Sequence, residues 1–241
     1  MMRIIHTVLF LSFSTLFITP IARGDAFDPP PGQGAPKGTS GGGSRPIAPS
    51  CLVPSESKAT PILLAPKRYL GLTTQSHPTF WVHLPATTAK TIEFSLFDRT
   101  RKGIYQVSLP IPSSAGLLAI SLPKTEPGLS NDRSYNWTVA LICNPKQRTE
   151  DWVIGGWIQR QTPSDRLQQA LKQDANAINQ AKSYLQANFW YDAITILSEL
   201  PPENKDSLAF KKLQLNAFDS AGIPIPSNAV PDLPSSRSTL R

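Results

Sequence analysis

From Thr79 to Leu84 apolar and polar side chains alternate, with Phe80, Val82 and Leu84 on one face and Thr79, Trp81 and His83 on the other. That is the period of a strand. The period returns over Thr91–Phe97, which groups Ile92, Phe94 and Leu96, and again over Ile104–Leu109 and Leu117–Leu122. Tyr135–Cys143 sets Tyr135, Trp137, Val139, Leu141 and Cys143 on one face, and Trp152–Ile158 is the last such run. Asp98–Gly103 reads as a hairpin connection, and Gly155-Gly156 inside the last run predicts a bulge. Short runs split by Pro and Gly predict a mainly β fold, an immunoglobulin-like antiparallel β-sandwich of about seven strands over residues 51–162. Tyr135, opening a late strand, suits the tyrosine-corner position of such folds.

At Thr162 the period lengthens to that of a helix. Thr162 offers an N-cap, Pro163 a first helical residue and Asp165 an acid at the third position. Leu167, Leu171, Ile178, Ala181 and Leu185 form one helical stripe. Trp190, Ala193, Ile194 and Leu197 form a second, stopped by Pro201-Pro202, and Leu208, Leu213, Ala217 and Phe218 a third, stopped by Gly222. The expectation is a small C-terminal helical module of about three helices over 163–222. The connection at Gln161-Thr162-Pro163 is too short and stiff for a swinging linker, so the module should dock on the sandwich. Residues 223–241 read as a disordered tail.

The N-terminal segment changes the setting. Arg3 precedes an uncharged run from Ile4 to Ile18, then Pro20 and the small residues Ala22, Gly24 and Ala26, so 1–24 reads as a secretory signal peptide. The run falls short of the ~20 residues a spanning helix needs, and no later stretch is apolar enough, so no membrane span is expected after cleavage. Residues 25–50, with Pro29-Pro30-Pro31-Gly32 and Gly41-Gly42-Gly43, form a Pro/Gly-rich leader with nothing to bury and are expected to be disordered. Export to the periplasm or beyond puts Cys51 and Cys143, the two cysteines of the chain, in an oxidising space and predicts a disulfide between them.

Candidate chemistry is sparse. Gly38-Thr39-Ser40-Gly41-Gly42 fits GxSxG in letters, but no strand leads into it and no helix follows, so it supplies no nucleophile. His77 and His83 with the two cysteines lack the close ligand pairs of a zinc site. Glu150-Asp151, and Glu93 with Asp98, are the nearest approach to paired carboxylates; the former reads as a solvated turn. Neither metal nor cofactor is expected. The net charge of +7 is unevenly spread: residues 51–162 hold 12 basic and 7 acidic residues, while 163–222 hold 6 and 7. Arg99, Arg101 and Lys102 concentrate positive charge on the hairpin tip, a contact for an anionic polymer or an acidic partner. Nucleic acid is excluded by export and by the lack of any aromatic-basic recognition motif. Trp81, opposite Phe80 and Val82, is the candidate aromatic interface residue, either exposed or covered by the helices, and aromatic size favours a buried or docking role.

Several short motifs follow one another in a familiar order: Gly43-Ser44-Arg45, Cys51, Gly71-Leu72-Thr73, His77-Pro78-Thr79-Phe80-Trp81, Glu93-Phe94, Tyr135-x-Trp137, Gly156-Trp157-Ile158-x-Arg160 and Trp190-Tyr191-Asp192-Ala193. Together they resemble the family known as domain of unknown function nine-two-eight, over roughly residues 28–222. The resemblance implies an exported cyanobacterial protein with envelope or signalling partners, and implies no activity. The resulting expectation is an exported, non-enzymatic binding or scaffold protein. The alternative is a carbohydrate-binding or cell-wall-acting envelope protein.

Overall fold

The computed structural model describes residues 51–52, 60–111 and 116–224, with the backbone of 239–240. The segments expected to be signal peptide and leader, and nearly all of the expected tail, lie outside the described residues.

Among the described residues nine strands make two sheets. The first has β1 (Ile62–Leu63), β3 (Thr79–Leu84), β6 (Gly116–Ser121) and the two-residue β9 (Thr239–Leu240), in the order β1-β3-β6-β9. The second has β2 (Gly71–Thr73), β8 (Trp152–Arg160), β7 (Ser134–Ile142), β4 (Thr91–Asp98) and β5 (Gly103–Pro110), in the order β2-β8-β7-β4-β5. The six predicted strands are all present. The three short ones, β1, β2 and β9, were not legible, because two or three residues carry no period. Two of them, β2 and β9, also change the sheet type. β2 runs parallel to β8, pairing Gly71 with Ile158 and Thr73 with Arg160, and β9 runs parallel to β6, so the sheets are mixed and not purely antiparallel.

The sheets face each other across an aromatic core. Phe80 of β3 lies 4.8 Å, ring to ring, from Phe94 of β4 and 5.0 Å from Trp137 of β7. These rings are fully buried, as alternation on β3, β4 and β7 requires. Each such pair adds ~0.5–1.5 kcal/mol beyond its buried area.

The expected bulge at Gly155-Gly156 is absent: β7 and β8 pair without a shift from Ser134–Gln159 to Leu141–Trp152. The glycines are there for space. A Cβ on Gly155 would sit 2.9 Å from the Trp137 carbonyl, and one on Gly156 would sit 3.1 Å from the Trp137 indole nitrogen. The register shift lies instead between Leu96 and Phe97 of β4, next to the hairpin.

Among the described residues five α-helices follow where about three were expected: α1 (Asp165–Gln173), α2 (Ala177–Gln186), α3 (Trp190–Glu199), the single turn α4 (Pro202–Lys205) and α5 (Leu208–Ala221). The N-cap of α1 is Ser164, which accepts from the Leu167 amide, and not Thr162. The first predicted stripe is broken in two because Asn176 caps α2, accepting from the amides of Ile178 and Asn179. α5 ends as expected at Gly222, whose φ of +70° is left-handed.

Three consecutive residues at the start of α3 tie the helices to the sheets. Trp190 donates its indole N–H to the Leu64 carbonyl at 2.7 Å. The Tyr191 hydroxyl accepts from the Trp137 indole and donates to the Trp157 carbonyl, both at 2.9 Å. The Asp192 carboxylate accepts from the backbone N–H and the hydroxyl of Thr74. Trp190, Tyr191, Leu197 and Phe218 belong to the same buried cluster as Phe80 and Trp137, so helices and sheets share one core.

Candidate functional site

The β4–β5 hairpin is ordered from within. Asp98 Oδ1 accepts from the Thr100 amide at 2.8 Å, the Thr100 hydroxyl at 2.6 Å and the Lys102 amide at 3.0 Å. The Asp98 and Lys102 backbones also pair at 3.0 Å, and Arg101 adopts a left-handed φ of +66°. The Thr100 hydroxyl and then the Lys102 amide hold the Asp98 carboxyl below the usual carboxylate range, so it stays charged. Arg99, Arg101 and Lys102 are all exposed on this turn. Three cations therefore stand on a backbone whose shape is set by one carboxylate.

Beside the tip lies a cleft of about 440 Å³, lined by Asp98, Arg99, Ile104, Pro127, Asp132 and Arg133 among others. Its far wall is the loop between β6 and β7. The Ser130 amide donates to the Tyr135 hydroxyl at 2.9 Å, and Arg160 donates to the Leu129 carbonyl at 2.9 Å. The Leu129 amide donates to the Ser76 carbonyl at 2.7 Å. Both walls are thus held by hydrogen bonds reaching back into the sheets. Sequence reading found the tip but missed Asp132 and Arg133. They come from a loop some thirty residues further on, and only the strand order brings that loop to the hairpin. A cavity of about 330 Å³ lies beside α3 at Thr73, His77, Tyr184 and Asp192, and another of about 320 Å³ lies at Ile62, Tyr69, Gly155 and Trp157. Burial pushes the Asp192 carboxyl up against the opposing pull of the Thr74 hydrogen bonds, and pushes the Tyr69 phenol up to about 12.

The other expected site residues fall apart from the hairpin. Trp81 is not a surface platform: it is 4 % exposed, and its indole donates to the Thr195 hydroxyl of α3 at 3.3 Å. Its interface is internal, because α3 covers the outer face of β3. Cys51 and Cys143 are joined as a disulfide at the opposite end of the sheets. There the Cys51 carbonyl also accepts from the Thr88 amide at 2.8 Å. His77 bonds to the Ser76 hydroxyl beside it and to the Glu126 carbonyl of the β6–β7 loop, while burial holds the His83 imidazole below its usual value. Among the described residues no group of three or more His, Cys, Asp or Glu could hold a metal ion. Asp151 is not in a solvated turn: it is buried and bound by Arg148, whose guanidinium also holds Glu93 at 3.1 Å. Burial of a carboxylate demands such a partner, and its neighbour on the sheet, Glu93, shares it.

Two mixed β-sheets and a set of helices closed around one aromatic core, with polar clefts at the loop ends, define the class of protein. The chain belongs to the family described as Domain of Unknown Function (DUF928), which it matches over residues 40–224. No curated protein matches the chain. Four of the motifs that carried the resemblance meet at one junction: Gly71-Leu72-Thr73 is β2, His77–Trp81 enters β3, Trp157–Arg160 ends β8, and Trp190-Tyr191-Asp192 opens α3.

Proposed function

We propose that this is an exported, non-enzymatic binding protein that holds an anionic polymer or an acidic partner of the cell envelope through its hairpin end. The observation that carries the reading is the hairpin itself: Arg99, Arg101 and Lys102 are exposed together on a turn that Asp98 holds in one shape. Opposite charge attracts such a partner at long range, and a pre-shaped turn loses little entropy on binding. Export is supported by the apolar run of the first 24 residues and by the Cys51–Cys143 disulfide. In addition, among the described residues no helix is long and apolar enough to cross a membrane. The non-catalytic reading is supported by the carboxylates: Glu93 and Asp151 are bound to one guanidinium instead of facing each other across a cleft.

The immunoglobulin-like type belongs to the same proposal. Its support is strand order: β1-β3-β6 correspond to strands A, B and E, and β8-β7-β4-β5 to G, F, C and C′. The Ser130–Tyr135 hydrogen bond matches a tyrosine corner. The disulfide is not the buried inter-sheet pin of antibody domains, and the Phe80–Trp137 contact takes that role.

The test is retention of the full chain on an immobilised polyanion. The wild type should elute with rising salt, and R99S/R101S/K102S should elute markedly earlier. Equal retention of the two removes the hairpin from the account.

A further inference from the structure

The cleft beside the hairpin says more than that the site is basic, because its lining is not uniformly positive. Arg99 and Arg133 stand with Asp98 and Asp132 around about 440 Å³ of space. That is the size range of small-ligand clefts, ~300–1,000 Å³. Ile104 and Pro127 add apolar surface, and Thr100 and Ser130 add hydroxyls. A polyphosphate or a phosphate headgroup offers many negative oxygens and few donors, and two aspartates in the wall would repel it. A ligand that suits every part of this lining has one carboxylate, several hydroxyl donors and an apolar face.

We propose that the cleft takes a carboxylate-bearing sugar unit of an acidic polysaccharide. A guanidinium fork from Arg99 or Arg133 receives the sugar carboxylate in two parallel hydrogen bonds. Asp132 and Asp98 accept from neighbouring ring hydroxyls, and Ile104 with Pro127 meets the C–H face of the ring. Arg101 and Lys102, outside the cleft on the same turn, meet the next acidic units along the polymer. The structure therefore assigns the aspartates a part in selectivity: they admit a hydroxylated anion and penalise a bare one. This deepens the proposed function and rests on it.

The experiment is calorimetric titration of the full, disulfide-bonded chain with three probes: oligogalacturonate, inorganic polyphosphate and neutral dextran. Oligogalacturonate should bind, polyphosphate more weakly at equal charge, and dextran not at all. D132N keeps the size of the side chain, and asparagine tolerates the φ of +57° at this position, so the fold survives the change. Loss of a charge-assisted acceptor should weaken oligogalacturonate by roughly tenfold and leave polyphosphate equal or tighter. R133S should weaken both. Polyphosphate binding as tight as oligogalacturonate, or an unchanged oligogalacturonate affinity in D132N, overturns the sugar proposal. If R99S/R101S/K102S still abolishes anion binding in that case, the hairpin reading survives it. If neither anion binds the wild type, both fall together.

Discussion

The indole N–H of Trp137, on β7, donates to the hydroxyl of Tyr191, on α3, at 2.9 Å, deep in the core. Fifty-four residues separate the two in sequence. The same hydroxyl donates its own O–H to the Trp157 carbonyl of β8, so one buried oxygen joins a helix to two neighbouring strands. Burial pushes the Tyr191 phenol up, and it stays protonated and able to donate at all working pH values.

Removing that oxygen leaves the buried Trp137 N–H without a partner and takes a donor from the half-buried Trp157 carbonyl. Tyr191→Phe should therefore cost about 1–3 kcal/mol in urea denaturation, although it changes no volume in the ring. Trp190→Ala, which also empties a large buried site, should cost ~3–5 kcal/mol.

Because Trp190, Tyr191, Leu197 and Phe218 complete the core of the sheets, a chain ending at Arg160 should not fold cooperatively. It would expose Trp81, Leu72 and the Trp137 indole to water. A scanning calorimetry trace without a transition is expected. A sharp transition near that of the full chain would mean that the sheets close without the helices.

Asp192 predicts a pH effect of definite sign. Burial raises its folded-state pKa above the unfolded value near 3.8, so between those two values the folded state holds the extra proton. The contribution of this group is largest at low pH and falls as pH rises through that window. The stability advantage of the wild type over D192N should thus shrink from pH 4 to pH 7. An advantage that grows with pH would mean that the Thr74 hydrogen bonds to the charged form outweigh burial.

The disulfide closes a loop with a sequence separation of 92. Replacing both cysteines by serine should lower stability by up to ~4–5 kcal/mol in the chain-entropy view. Intact-mass measurement of the protein without reductant should give two hydrogens fewer than the dithiol, and full thiol labelling would contradict the pairing.

What was legible in the chain was whatever has a period or a stop signal. The strands around Phe80, Phe94 and Trp137, the α3 stripe and the Gly222 stop all follow from local pattern. Pairs of residues far apart in sequence were not legible. Trp81 sits on the polar face of an alternating strand, and only the arrival of α3 explains why it is buried. Gly155-Gly156 looked like a bulge because a glycine pair in a strand has two readings, and Trp137 decides between them, its carbonyl against Gly155 and its ring against Gly156. Asp151 looked solvated because its partners, Arg148 and Glu93, meet only in the folded sheet. In the same way the basic tip was visible in Arg99, Arg101 and Lys102, while Asp132 and Arg133, which turn a tip into a cleft, were not.

The central claim is that the hairpin end is where this protein meets an anion. It is tested most directly by backbone amide NMR of the full chain, titrated with oligogalacturonate. Shifts should gather at Asp98–Gly103 and in the loop from Gly128 to Tyr135, and should vanish in R99S/R101S/K102S. Shifts confined to the groove at Ile62, Tyr69 and Trp157, or the same map in the triple variant, would contradict the account.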